Sequence, residues 1–307
     1  MSGAVLALSV VVFPGGFNLP MWAAERQGYF PSNGVRVNLT LTPSSTFQMQ
    51  GLAEGRFDIA MTAFDNVVAY QEGQGEAKIP NNPDLFAFMA SDNGFLSVMG
   101  GKGVRAFSDL KDKKLSVDAL TTGFAFVLRE LLAKNDIGES DVTFERAGGL
   151  VERFPKLLDG THAATVVLTP FDLLAQAKGH VQLARADQHL GAYLGLVGAA
   201  RRSWAKQNEH ALVGFIRAYR QGVQFLYENT DIAEALLVAN VRAMTPALAK
   251  QSLGIFLAER TGFYKDLRLD AQGAQTVLAL RSKFAGRKLA DASKYIDAAY
   301  RDKALAG

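Results

Sequence analysis

The sequence predicts an α/β protein of two lobes, each a doubly wound sheet, with two hinge crossings and a helical C-terminal region. Strand-like and helix-like segments alternate over 4–90 and again over 114–184, the rhythm of parallel α/β sheets. Between the two series lies Ser91-Asp92-Asn93-Gly94, a run of turn formers where the chain can change lobes. At 307 residues the chain also exceeds one core of ordinary size, which favours two lobes with a cleft between them.

In the first series Ala4–Phe13 is apolar and β-rich, Leu19–Gln27 is helical and Val35–Leu41 alternates apolar with polar residues. A helix over Thr46–Glu54 ends at Gly55, the strand Asp58–Met61 follows, and a helix begins near Asp65 with Thr62 or Asp65 as its cap. Leu85–Ala90 and Phe95–Met99 read as strands on either side of the first crossing. The second series is strand Lys114–Asp118, helix Ala125–Asn135, strand Val142–Arg146, helix Val151–Leu158, strand Ala163–Leu168, helix Phe171–Lys178 and strand Val181–Ala184. The return crossing is expected at Gln188–Gly191, with a strand over Tyr193–Ala199. Helices then cover Ser203–Glu228, Asp231–Asn240, Pro246–Glu259 and Asp270–Gly286. Lobe 1 is therefore expected over 1–92 and 190–307, and lobe 2 over 93–189.

Hydrophobic residues make up 49% and charged residues 21%, the composition of a well-packed globule. The net charge of +3 is spread along the chain, which argues against a nucleic-acid or anionic-membrane patch. With no cysteine, thiol catalysis, Cys-ligated zinc and disulfides are excluded. Ala4–Phe13 has neither a preceding basic residue nor a following small-residue cleavage site, so it reads as a buried strand and not as a signal peptide.

Ordered motifs add a resemblance. Gly16-Phe17-Asn18 leads into Met21-Trp22-Ala23-Ala24-Glu25-Arg26-Gln27-Gly28-Tyr29-Phe30 and then Gly34-Val35. Gln50-Gly51-Leu52-Ala53-Glu54-Gly55-Arg56-Phe57-Asp58-Ile59-Ala60 follows, then Ser108-Asp109-Leu110-Lys111-Asp112-Lys113-Lys114-Leu115, and then Thr122-Gly123-Phe124-Ala125 opening the helix that ends in Leu132-Ala133-Lys134-Asn135-Asp136-Ile137. This series, spread over nearly the whole chain, resembles the solute-binding proteins of bacterial ABC importers for nitrate, alkanesulfonates, taurine and thiamine-pyrimidine compounds. Asp112 departs from that pattern, where the family commonly has Gly. The resemblance implies the type II periplasmic-binding-protein fold, a small-molecule ligand, ABC permease and ATPase partners, and no cofactor, metal or catalytic residue. It also implies a monomer in the periplasm, free or lipid-anchored at the outer face of the cytoplasmic membrane, with its targeting segment outside this sequence.

In a doubly wound sheet ligands bind beyond the carboxyl ends of the strands, so the loops there supply the candidates. They are Gly16, Phe17 and Asn18; Ser45, Thr46 and Phe47; Phe64, Asp65 and Asn66; Asp92; Thr121, Thr122, Gly123 and Phe124; Gly149; and Thr169, Phe171 and Asp172. Glycines let backbone amides approach a ligand, and free N–H groups at helix N-termini favour anions, which singles out Thr121-Thr122-Gly123. Six phenylalanines lie in or beside these loops, at 13, 17, 47, 64, 124 and 171; core packing claims part of them, Phe13 most readily. Rings in the cleft point to a ligand with an apolar or flat part, for which bare nitrate is a poor match. Asp65, Asp92, Asp118 and Asp172 lie near strand ends, with Arg146 the nearest cation. An inward carboxylate would accept from an amine or aminopyrimidine, whereas a sulfonate needs amides, hydroxyls or a cation.

The same residues bear on other classes of function. Thiamine-pyrimidine synthase, an enzyme of similar fold, carries a Cys-rich segment that this chain lacks. His162, His180, His189 and His210 are isolated, with no H-E-x-x-H or G-x-S-x-G pattern around them. A cytosolic biosynthetic enzyme of the menaquinone-pathway type stands as the alternative. A regulatory effector domain would need a DNA-binding segment before the first strand.

Overall fold

The structure, a computed structural model, describes residues 5–79 and 83–306. Ala4, the expected start of the first strand, lies outside the described residues, as do the extreme ends of lobe 1 at positions 1–3 and 307. The strands in chain order are β1 (Leu6–Val12), β2 (Val35–Leu41), β3 (Ile59–Ala63), β4 (Leu85–Ala90), β5 (Leu96–Gly100), β6 (Lys113–Val117), β7 (Val142–Arg146), β8 (Ala164–Leu168), β9 (Gln182–Arg185) and β10 (Leu196–Arg201).

They form two sheets with the same plan, β2-β1-β3-β10-β4 and β7-β6-β8-β5-β9. In the first, β1 runs parallel to β2, from Leu6 opposite Val35 to Val12 opposite Leu41, and parallel to β3. In the second, β6 runs parallel to β7 and β8. Each sheet also takes in one antiparallel strand: β10 pairs with β3 and β4, and β5 pairs with β8 and β9. The central strands are buried because helices cover both faces, so Val10, Val11 and Val12 are fully enclosed.

Asp92 joins the two crossings. Its Oδ1 accepts from the Gly94 amide at 2.8 Å and from the Leu196 amide at the head of β10 at 3.2 Å. Backbone bonds from Ser91 N–H to Leu196 O and from Gly195 N–H to Asp92 O run beside it. The return strand begins at Leu196 and not at Tyr193, because Gly195 is taken up in this contact between crossings.

The single helix expected over Ser203–Glu228 is two, Arg202–Gln207 and Glu209–Glu228. At the break the Asn208 side chain and its own backbone N–H both donate to Trp204 O, each at 2.9 Å. The helix after β3 starts at Phe64, one residue early, with Ala63 at its cap; neither Thr62 nor Asp65 caps it. Helix Ser45–Ala53 is capped by Ser44, whose hydroxyl accepts from Phe47 N–H at 3.2 Å. Helix Ala271–Ala285 packs on helix Phe64–Gln71 of the first series and on helix Gly123–Ala133 of the second, where Phe284 stacks on Phe126 with ring centroids 5.7 Å apart.

Candidate functional site

The carboxyl ends of the parallel strands in both sheets face one another across a cavity of about 50 Å³. Phe13 follows β1, Ala63 ends β3, Asp118 follows β6, Gly149 lies in the loop after β7 and Leu168 ends β8; all line it. Phe17 and Asn66 add to the wall from the first sheet, and Thr122, Gly123 and Phe124 from the second. Leu196 at the head of β10, Leu150 and Arg153 complete it. The lining is thus mostly apolar with a few polar groups, the usual make-up of a small-molecule pocket. A volume of this size spans only a few water-sized positions.

Two charged residues, Arg153 and Asp118, are among those lining this space. Arg153 is buried, its Nε donating to Gly148 O at 3.0 Å and its Nη1 to Thr165 Oγ1 at 2.5 Å and Val166 O at 2.9 Å. Among the described residues Nη2 has no hydrogen-bond partner. Burial pulls the guanidinium down to about 10, against the opposing pull of the Asp118 carboxylate, so it stays charged at neutral pH. Asp118 Oδ2 accepts from the Ser45 amide at 3.0 Å, while Oδ1 is buried without a partner. The Arg153 and Asp118 charges do not approach within the 4.0 Å of an ion pair.

Direct contacts hold the lobes together around the cavity. Gly149 N–H donates to Pro43 O at 2.8 Å. Arg281 donates to Asp65 and also to Thr121 O, at 2.7 Å, in the loop after β6. Glu76 Oε1 accepts from the amides of Leu120 and Thr121 in that loop, and Arg146 rests against its Oε2. Gly123 packs so close to Asp65 that a Cβ on it would overlap the Asp65 side chain.

Of the residues singled out in the sequence, Phe17, Asn66, Thr122, Gly123, Phe124 and Gly149 meet at the cavity. The others lie around it in several ways. Gly16 packs on Pro170 of the other lobe, and the Asn18 side chain donates to Phe13 O at 2.6 Å and Gly15 O at 3.1 Å, fixing the loop that presents Phe13 and Phe17. Ser45 donates its amide to Asp118, and Thr46 Oγ1 hydrogen-bonds Ser44 Oγ at 2.9 Å. Phe47 lies on the surface against Phe57 and Arg56, and Phe64 is in the core against Tyr295. Asp65 is bound by Arg281, Asp92 by the crossings, and Thr121 through its backbone by Arg281 and Glu76. Thr169 and Asp172 hydrogen-bond each other at 3.1 Å beside Ser97, and Phe171 meets Phe154 edge-on at 5.0 Å in an outer groove. Thr122 Oγ1 turns to Ala119 O at 3.0 Å and leaves the helix N-terminus without a side-chain cap.

Phe13, which its sequence position assigns most readily to the core, lines the cavity. The cation there is Arg153; Arg146 is largely exposed. Arg153 does carry a sequence signal, since Leu150, Arg153 and Leu157 occupy the buried stripe of their helix. Arg281 shares a stripe with Ala274, Val277 and Leu278 in the same way. A charge at an apolar position of an amphipathic helix is the pattern that finds both. His162 is buried beside Glu145, His180 hydrogen-bonds Gly100 O, and no histidine lines the cavity. Among the described residues no group of three or more His, Asp or Glu is placed to hold a metal ion, and no helix is long and apolar enough to cross a membrane.

Two sheets of this topology, each with one antiparallel strand, closing on a cavity at their carboxyl ends, define the type II periplasmic-binding-protein fold. The chain belongs to the NMT1/THI5 like family, whose sequence model matches residues 18–233. This is the group that the ordered sequence motifs resemble. Among curated protein sequences none matches the chain. Solved structures share its fold at low identity. A protein of Bordetella bronchiseptica RB50 is 19% identical with a TM-score of 0.82, covering 98% of this chain and 97% of that one. The periplasmic nitrate-binding protein NrtA of Synechocystis PCC 6803 is 14% identical with a TM-score of 0.79, covering 98% and 89%. The alkanesulfonate-binding protein SsuA of Xanthomonas axonopodis pv. citri, bound to MOPS, is 16% identical with a TM-score of 0.76, covering 96% and 99%.

Proposed function

We propose that this protein is the solute-binding component of a bacterial ABC importer, working in the periplasm as a monomer, free or lipid-anchored. It captures a small organic molecule between lobes formed by 1–92 with 190–307 and by 93–189, and hands it to the permease and ATPase subunits. The cavity carries this reading: both sheets contribute to it, so a ligand held there contacts both lobes and favours the closed arrangement by its differential affinity. Phe13, Phe17 and Phe124 supply apolar surface, Asn66 and Thr122 neutral hydrogen bonds, Gly149 a close backbone and Arg153 the cation. This set suits aromatic, sulfonate-like or aminopyrimidine-like ligands small enough for the space.

A thermal-shift screen tests it, because a ligand that binds only the native state raises the melting temperature. The panel is sulfonates, taurine, aromatic carboxylates, aminopyrimidines and flavins. A rise with one chemical class, lost on Phe124→Ala, is the expected result; a folded protein that responds to none of them counts against the reading.

A further inference from the structure

A second space, a groove of about 620 Å³ against the cavity's 50 Å³, lies apart from the cavity, and no residue lines both. Helix Leu150–Asp159 serves the two: Leu150 and Arg153 line the cavity, while Val151, Phe154 and Leu158 line the groove. Phe171 and Leu174 of helix Phe171–Gln176 extend this apolar wall, and the Phe154 and Phe171 rings meet edge-on with centroids 5.0 Å apart. The other lobe supplies Pro14, Gly15 and the stretch 240–243.

Size, apolarity and charge together specify an occupant. The wall is partly bare, with Val151 48% exposed, and the volume lies within the roughly 300–1,000 Å³ of small-molecule pockets. The charged residues that line the groove are both exposed cations, Lys178 from one lobe and Arg242 from the other. Among the described residues neither makes an ion pair or a side-chain hydrogen bond, and no acidic residue lines the groove. Long basic side chains lay their apolar stems along such a wall and keep the charge in water at its edge. A purely apolar occupant would make no use of the cations, and a small inorganic anion would leave the wall bare.

We propose that this groove is a second binding site, which takes a single-chain amphiphile with an anionic head, of the fatty-acid kind. The chain lies along Val151, Phe154, Leu158 and Phe171, and the head meets Lys178 and Arg242. Because each lobe contributes both wall and cation, the occupant contacts the two lobes at once.

Titration calorimetry tests this with decanoate below its micelle concentration, with decyltrimethylammonium, which keeps the chain and reverses the charge of the head, and with acetate, which keeps the head and lacks the chain. Decanoate should bind at least tenfold more tightly than decyltrimethylammonium, and acetate should give no measurable heat. Replacing both cations, Lys178→Gln with Arg242→Gln, should weaken decanoate at least fivefold and narrow the preference between heads. Val151→Asp, at an exposed position that tolerates a charge, should weaken decanoate at least tenfold. Phe124→Ala alters the cavity and not the groove, and should leave decanoate affinity within about twofold. Circular dichroism checks that each variant is folded. Equal binding of the two ten-carbon probes, unmoved by the variants, overturns the proposal, as does decanoate binding that only Phe124→Ala removes. A protein that takes up no decanoate overturns it too, whether it is inert, cosediments with phosphatidylglycerol vesicles, or self-associates through a contact that Val151→Asp breaks. None of these outcomes decides the solute-binding reading, which the thermal-shift screen tests separately.

Discussion

Arg281 grips Asp65 by both oxygens, Nε to Oδ1 at 2.7 Å and Nη2 to Oδ2 at 2.5 Å, with both side chains withdrawn from water. The same Nη2 reaches Thr121 O at 2.7 Å in the opposite lobe, and Nη1 takes Gln74 Oε1 at 3.0 Å. One side chain therefore fixes the start of helix Phe64–Gln71 and holds the loop that leads into the cavity. Removing one partner of a buried pair strands the other charge. Arg281→Met is expected to destabilise the protein by about 3–5 kcal/mol, measured by urea unfolding.

Gly123 meets Asp65 from the other lobe, and because Arg281 fixes Asp65, an added methyl cannot push it aside. Gly123→Ala should hold the lobes apart without unfolding either. Alanine also suits the first turn of a helix better than glycine, by up to about 1 kcal/mol. The urea midpoint should stay near that of the unaltered protein, while ligand affinity falls at least tenfold and small-angle scattering reports a larger radius.

Glu76 reaches from lobe 1 to the Leu120 and Thr121 amides of the loop that carries Thr122, Gly123 and Phe124. Glu76→Gln keeps an acceptor but loses its charge and its attraction for Arg146. Ligand affinity should drop several-fold, mainly through faster release, and stopped-flow dissociation rates check this.

Phe124 is half-buried and faces the cavity. Phe124→Ala should lower the affinity for the best panel ligand about tenfold, or ~1.4 kcal/mol, with a smaller effect on the melting temperature than the loss of a core ring such as Phe64 would have.

Asp92 sets a pH dependence. Burial raises its carboxyl to about 6, although the Gly94 and Leu196 amides favour the charged form. Its folded value thus lies above the ordinary value of 3.8, so between roughly pH 4 and 6 the folded state holds more protons than the unfolded one. Stability then declines as pH rises through that window, by a few kcal/mol on the order of 1.4 per pH unit, and levels off above it. Urea unfolding from pH 4 to 7 should show this contribution, and Asp92→Asn should flatten it.

Alternation of strands and helices, the turn cluster at Ser91–Gly94 and the order of the motifs were enough to place most of the strands and helices and the family, because these are local patterns; the break at Asn208 and the late start of the return strand at Leu196 were not among them. Phe17, Asn66, Thr122, Gly123, Phe124 and Gly149 could be singled out because strand-end loops can be read off a chain once its strands are known. Asp65 and Asp92 come from the same loops, yet one binds Arg281, 216 positions away, and the other Leu196, 104 positions away. No local pattern announces such partners. Arg153 and Arg281 lay in plain view on apolar helix stripes, but which carboxylate each faces depends on how the sheets stack. The sequence by itself determined the strands, helices and family, since these rest on periodicity and short-range chemistry. Only the tertiary structure decided which charges are spent on holding the lobes together and which are left lining the cavity, because that depends on distances between segments far apart in the chain.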